Sequence, residues 1–276
     1  SNLILGPGTH TCPSGLVIPK NLHIKGASPG ATTIAVTGSV TLATSGTGSW
    51  AGANAATGGR GSLDNVTLTA TTGVSLNFLS ASSLYGTFAF NRVVFGSSTT
   101  FALTGMTAGN LVYAFGCLFT GAVTLDGTEF NFQTSDFYST VTANAVSSAY
   151  IAPAYGATSA NIRFIGSNLR GSVTVSAATG VEVYVDLRTS VAYATSHTVT
   201  GDKASILASP STFSFSSTIT TSSNGAVEYM GSSRALRFAD SNAAEWTSVS
   251  ANWDAYPVSV QAALNELASR VRALEP

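Results

Sequence analysis

The sequence predicts an all-β fold, a right-handed parallel β-helix closed by a short C-terminal α-helix of the coiled-coil type. Three observations predict it: one short phrase recurs with changed spelling, the charge content is too low for an ordinary globular surface, and the last residues change to a heptad pattern. The phrase reads Phe115-Gly-Cys-Leu-Phe119-Thr-Gly-Ala-Val123-Thr-Leu125, then Phe132-Gln-Thr-Ser-Asp-Phe137-Tyr-Ser-Thr-Val141-Thr-Ala143, then Phe164-Ile-Gly-Ser-Asn-Leu169-Arg-Gly-Ser-Val173-Thr-Val175. Aligned on the valine, Phe119, Phe137 and Leu169 each sit four residues before it and a Thr directly follows. The phrase reads as strand, corner, strand. A single copy has nothing to bury its inward residues against, so the copies must stack, and their spacing is of solenoid order.

Solenoids grow by adding coils, so the length of 276 residues does not imply two globular domains. Charged residues make up only 9% of the chain against 44% hydrophobic, so Ser, Thr, Asn and Gly must supply the polar surface. That mixture suits exposed β-structure in an extracellular or virion setting. The formal net charge is -1 and no basic run occurs, which argues against nucleic acid as a partner. No apolar run approaches the roughly 20 residues of a membrane span, and the opening Ser1-Asn-Leu-Ile-Leu-Gly-Pro7 lacks the basic region of a secretory signal. Membrane insertion is not expected.

The shaft is expected over residues 1–240. Gly6-Pro7-Gly8-Thr9 reads as a turn, Leu16-Val17-Ile18, Leu22-His23-Ile24-Lys25 and Thr32-Thr-Ile-Ala-Val36 as strands. Pro7-Gly8-Thr9 followed by Leu16-Val17-Ile18, Leu22-His23-Ile24-Lys25-Gly26 and Ala31-Thr32-Thr33-Ile34 resembles the opening coils of pectin-lyase-like parallel β-helices, a fold that phage tailspikes, tail fibres and other virion-surface fibres also use. The resemblance covers about the first forty residues and the repeats. It implies the fold and not a catalytic activity.

Two excursions from the shaft are expected, near 44–62 and near 147–159. The first, from Thr44 to Ser62, is too rich in Gly, Ala and Ser to pack a coil, and the second is interrupted by Tyr150, Pro153 and Tyr155. Trp50, Tyr150 and Tyr155 are candidate contact residues, because aromatic side chains offer large rigid surfaces to a sugar or a protein; for Trp50 the alternative is folding back on the shaft. Phrases return at Leu63-Asp-Asn-Val66-Thr-Leu68 and from Phe90 to Leu103. From Val181 the alternation is strict, with Val181, Val183, Val185 and Leu187 inward and Glu182, Tyr184, Asp186 and Arg188 outward, which makes Tyr184 a further candidate for binding. After Ala235-Leu-Arg-Phe238-Ala-Asp240 the solenoid pattern ends.

A connector over 241–258 then leads to a helix over 259–276. Ser259 is its cap, and Val260, Leu264, Leu267, Val271 and Leu274 form a heptad seam, with Glu266 and Arg270 paired outside. An isolated helix of this length is marginal in water, so it needs a partner: further copies of itself, or its own shaft. The run from Trp253 to Leu267 resembles short terminal helices of viral fibre proteins that associate as trimers. The resemblance implies a homotrimer; the seam alone does not separate dimer from trimer.

Catalytic residues are not expected. Glu182 and Asp186 share a face, but four residues of strand separate them by about 13 Å, wider than the roughly 5–9.5 Å of glycosidase pairs. Asp126, Glu129 and Asp136 come closer only if stacking gathers them. His10, His23 and His197 show no metal-ligand spacing, so neither metal nor cofactor is expected. Cys12 and Cys117 fall in different coils, and Cys117 occupies the place of Ser135 and Ser167 in the copies that follow, a small stacked corner residue rather than a reactive thiol. The Asn65-Val-Thr67 sequon reads as a chance product of a Thr-rich strand. The function these features predict is a non-enzymatic fibre or spike on a virion surface that meets a host-cell glycan or protein. A decoration protein gripping other virion proteins, a bacterial or other extracellular adhesin and a polysaccharide depolymerase are the alternatives.

Overall fold

The computed structural model describes residues 1–38, 40–42, 59–70, 86–96, 101–106, 110–127, 129–145, 159–177, 182–201, 203–209, 211–213, 217–222, 225–230 and 235–239. Among these residues every regular element is a β-strand. The strands form sheets of eleven, eight and six strands, plus the pair Leu16–Ile18 and Val40–Leu42. Up to Ala226–Met230, strands that follow one another along the chain enter different sheets, and they pair in parallel with strands of the neighbouring coils. Glu129–Gln133, Asp136–Phe137 and Val141–Ala145 thus pair with Ser159–Ile165, Asn168–Leu169 and Val173–Ala177. This is a set of stacked parallel sheets, consistent with a β-helical solenoid.

The register matches the repeated phrase residue for residue at its centre. Val123, Val141 and Val173 are partners in the six-stranded sheet, and Phe119, Phe137 and Leu169 are partners in the eight-stranded sheet. The start of the first copy is different. Ala114, not Phe115, pairs with Phe132 and so with Phe164, and Phe115 is 52% exposed. The constant corner length decides this: five residues separate Phe132 from Phe137 and Phe164 from Leu169, and the same count back from Phe119 falls on Ala114, so alternation turns Phe115 outward.

Two aromatic columns fill the interior. Phe95, Phe119 and Phe137 stack nearly parallel, with centroids 4.5 and 4.6 Å apart. Phe132 stacks on Phe164 at 5.1 Å, and the columns meet edge to face, Phe137 lying 5.3 Å from both Phe132 and Phe164. All five rings are buried. Parallel in-register pairing puts like side chains at the strand spacing of about 4.8 Å, which suits aromatic stacking.

The corner between the eleven- and eight-stranded sheets repeats just as regularly. Asn65, Arg92, Gly116, Thr134 and Gly166 all have positive φ, between 45° and 60°. Each is followed by an inward residue: Val66, Val93, Cys117, Ser135 and Ser167 in turn. The last of these build a buried ladder. The Cys117 N–H donates to Ser135 Oγ at 3.2 Å, the Ser135 N–H to Ser167 Oγ at 3.2 Å, and the Ser167 N–H to Ser190 Oγ at 3.0 Å. Each hydroxyl returns a hydrogen bond to a main-chain carbonyl, as Ser190 does to Phe164 at 2.7 Å. Peptide groups at the corner that the sheets cannot serve are thereby satisfied. Cys117 joins the ladder as expected, its Sγ 3.3 Å from the Phe90 carbonyl, and burial pushes its thiol up to about 12. It is inert at neutral pH. Both cysteines are free.

Coils also approach closely at the turn before the valine column. A Cβ on Gly171 would lie 2.2 Å from the Ser139 carbonyl carbon one coil back, so only glycine fits. The first expected excursion is shorter than the sequence suggested. Gly59–Asp64 is a strand of the eleven-stranded sheet, and Gly61 pairs with Phe88, so the absent side chain leaves volume for that ring. Ser159 likewise begins the strand Ser159–Ile165. The remainder of both excursions, with Trp50, Tyr150 and Tyr155, lies outside the described residues. So do the connector over 241–258 and the helix over 259–276 with Val260, Leu264, Leu267, Val271 and Leu274. At the far end, Ala235–Ala239 pairs antiparallel with Ala226–Met230 and ends the parallel series.

Phe137→Ala removes a ring that touches three others, and it should cost about 3–5 kcal/mol, read as a lower denaturant midpoint. Thr134 is a β-branched residue at φ 45°, where the equivalent residues Gly116 and Gly166 carry no penalty. Thr134→Gly should therefore stabilise by about 1 kcal/mol, seen as a rise in Tm, whereas a corner indifferent to φ would show the usual loss on introducing glycine.

Candidate functional site

The outer face of the eleven-stranded sheet carries the one sequence-nominated binding residue that is described. In Glu182–Asp186, Val183 and Val185 are buried, as is Leu187 after it, so Glu182, Tyr184 and Asp186 face outward as the alternation requires. Tyr184 pairs in register with Asn161, and Asp186 with Arg163. A groove of about 790 Å³ lies over these strands, lined by Arg163, Ile165, Tyr184, Asp186, Arg188 and Thr189 among others. Beside Tyr184 in the next coil, Ser205 Oγ is buried with no hydrogen-bond partner among the described residues.

The charges in this face are arranged as pairs. The Arg188 guanidinium grips Asp186 in a fork, Nε to Oδ1 at 2.9 Å and Nη2 to Oδ2 at 2.7 Å. Partial burial pushes the Asp186 carboxyl upward, but the hydrogen bonds from the Arg188 side chain and main chain and the charges of Arg188 and Arg163 outweigh it, holding Asp186 below its ordinary value. Glu182 receives the Lys203 ammonium at 3.1 Å and the Tyr184 hydroxyl at 3.4 Å. A general acid needs a carboxyl kept protonated near neutral pH. Asp186 is tuned the other way, and Arg163 remains the exposed cation of the groove without an ion-pair partner among the described residues.

The other acidic residues singled out in the sequence are not gathered. Asp126, Glu129 and Asp136 belong to strands of the six-, eleven- and eight-stranded sheets respectively. Their register partners further along the stack are Asn144, Asn161 and Asn168. Among the described residues no group of three His, Cys, Asp or Glu could hold a metal ion.

The three histidines also lie in three different sheets. His10 Nε2 is 3.0 Å from the Gly6 carbonyl. His23 Nδ1 lies 2.9 Å from Ser62 Oγ, which donates to Asp64 Oδ2 at 2.7 Å. This trio resembles a nucleophile site at first sight, but the serine proton is directed to the carboxylate, so the ring nitrogen donates to the serine instead of taking its proton. His197 is buried in the valine column, next to Val173. Its Nδ1 accepts the Val173 N–H at 3.1 Å, and its Nε2–H donates to the Ala194 carbonyl at 3.0 Å.

The same coils carry a second polar surface that the sequence reading missed. Tyr138, Arg170 and Tyr193 follow the register partners Phe137, Leu169 and Ala192, and the guanidinium of Arg170 lies 4.7 Å from the Tyr138 ring centre and 6.0 Å from that of Tyr193. The valine alignment already places Tyr138 over Arg170. Tyr193 escaped because the turn leading to His197 is one residue longer. No protein family matches the chain, and neither a curated protein nor a solved structure matches it.

Burial holds the His197 imidazole below its ordinary value, the main-chain bond to Ala194 opposing this only in part. The unfolded chain therefore takes up a proton first as pH falls. Stability should be full above about pH 6.5 and decline below it, down to the folded-state value. His197→Gln keeps an acceptor and a donor but does not titrate. Unfolding midpoints measured between pH 7 and 5 should fall further in the parent than in this variant, and equal slopes would exclude His197 as the source.

Proposed function

We propose that the protein is a non-enzymatic, homotrimeric fibre or spike module of a virion surface, a right-handed parallel β-helix shaft that attaches to a host-cell surface. The observation that supports this reading best is the regularity of the stack. Columns such as Val112, Phe130, Ile162, Val185, Ile206 and Val227 run in register through successive coils of the eleven-stranded sheet. A shaft built this way is stiff along its length, and its paired strands leave few edges open to proteases. Among the described residues its outer faces carry aromatic and cationic side chains such as Tyr138, Arg170, Tyr184 and Tyr193. The heptad seam of Val260, Leu264, Leu267, Val271 and Leu274 supplies the means of association.

In solution the protein should have three times the 28.0 kDa chain mass, and replacing Leu264 and Leu267 by Lys should reduce it to the monomer mass by light scattering. A parent protein already at 28.0 kDa would overturn the trimer. Labelled trimer should decorate susceptible cells, with imaging placing it at a tail or fibre tip. A regular array over a shell with no cell binding would replace attachment by capsid decoration. Turnover of a capsular or cell-wall polysaccharide would replace it by depolymerisation.

A further inference from the structure

We infer that His197 is an acid-sensitive joint: protonation of its imidazole opens the six-stranded sheet between Val173–Ala177 and Ser196–Thr200, while the coils before them stay closed. The device does not depend on attachment. In the valine column the Val123 N–H donates to the Thr140 carbonyl at 2.9 Å and the Val141 N–H to the Ser172 carbonyl at 2.9 Å, each time the carbonyl just before the next valine. At Val173 the pattern changes. Its N–H donates to Nδ1 of His197 at 3.1 Å, and regular pairing with the next coil resumes at Thr174 with Thr198. The turn differs at the same place. The valine lies four positions after Phe119, Phe137 and Leu169, but His197 lies five after Ala192, the register partner of Leu169. A side-chain acceptor then stands where the earlier coils use a carbonyl, and of these three bonds it alone ends on a titratable group.

The ring serves this bond only when neutral. Its Nε2–H donates to the Ala194 carbonyl at 3.0 Å, so Nδ1 carries the lone pair and an added proton must go there. Two N–H donors then face each other. The Val173 N–H loses its acceptor, and the new charge is buried, with Val173 on one side, the register partner Ile219 on the other and the Phe213 ring 4.7 Å away. Nothing around it supplies a counterion. Val173–Ala177, Val191–Ala192, Ala204–Ala208, Ser211 to Phe213 and Thr218–Ser222 contain no acidic or basic side chain. Glu182–Asp186 turns Glu182 and Asp186 outward, where Lys203 and Arg188 hold them, and Tyr193 in the turn is exposed. A buried donor without an acceptor and a buried charge without a counterion both favour moving the ring into water.

The stack is also thinnest here. Among the described residues the eight-stranded sheet ends with Val191–Ala192, and past it a single bridge from Ala192 to Phe213 continues that side. Beyond Val173–Ala177 the six-stranded sheet has only Ser196–Thr200 and Thr218–Ser222. Opening at the joint releases these two strands and leaves the stacked rings of Phe95, Phe119 and Phe137 in place. So small a unit opens at less cost than the whole stack unfolds. The released ring takes up a proton more readily than the buried one, so acid favours the open form.

The test is hydrogen–deuterium exchange of the full-length chain, read by mass spectrometry at pH 7.5 and pH 5 and corrected for the intrinsic effect of pH on exchange. In the parent, peptides covering Val173–Ala177, Ser196–Thr200 and Thr218–Ser222 should lose protection about tenfold at pH 5, within the roughly thirtyfold excess of imidazolium over imidazole that an exposed ring reaches there. Peptides covering Phe119 to Val123 and Phe137 to Val141 should keep theirs. His197→Asn sets an amide oxygen near the place of Nδ1 and cannot titrate, so its protection should be the same at both pH values. His197→Leu removes the acceptor, and the same peptides should exchange faster already at pH 7.5, with no further loss at pH 5. Unchanged exchange in the parent overturns the joint. Loss spread evenly over the stack overturns it in favour of general destabilisation, and an equal acid-induced loss in His197→Asn overturns it in favour of another group. Cell attachment is not measured here, so neither result bears on it.

Discussion

Parallel pairing from coil to coil is the constraint on which the rest of the structure depends. Once Val123, Val141 and Val173 are partners, every residue near them has a partner dictated by counting, inward or outward, and the chain loses the freedom to choose neighbours one at a time. Inward columns must therefore be filled by residues that stack on themselves. Valine and phenylalanine do this by shape. Serine does it at the corner because its hydroxyl accepts a main-chain N–H from the coil before and donates to a carbonyl, so a polar column is as well satisfied as an apolar one. Where the valine column meets His197, the ring takes over the acceptor role toward the Val173 N–H, and an ionisable group enters the core without an orphaned atom.

The same constraint explains what was legible in the sequence. A column residue must agree with residues one coil away, so its identity repeats, and the repeats at Val123, Val141 and Val173 show through the changed spelling. The Cys117, Ser135 and Ser167 equivalence was visible for that reason, although Ser190, which continues the ladder, was hidden by a change of turn length. The errors fall where volume is shared between coils. Phe115 looks inward by its chemistry and is turned out because Ala114 holds the inward position between Phe90 and Phe132. Gly59-Arg-Gly-Ser62 looks too thin for a coil and is in one, because Phe88 fills the space beside Gly61.

Outward residues obey no such agreement, and the candidate site is made of them. Tyr184 was nominated correctly as outward because alternation alone decides it, but its groove is assembled with Arg163 and Asp186 from different coils. The repeated phrase aligns Tyr138 with Arg170, but nothing in it announces Tyr193. The aromatic–cation contacts come from stacking three turns whose only common property is the strand that precedes them. Nearness in sequence likewise counts for little where corners intervene: Asp126, Glu129 and Asp136 fall on strands of three different sheets.

A shaft with so few charges makes each placed charge conspicuous. Arg188 and Lys203 are spent on neighbours, and exposed pairs of this sort add little to stability. Arg163 and Arg170 have no ion-pair partner among the described residues, and Arg170 lies between two tyrosine rings that order its guanidinium. Rigidity in the core decides how the faces are presented, because only a stack that keeps its coils in register holds outward residues of successive coils, such as Tyr138 and Arg170, at a constant spacing.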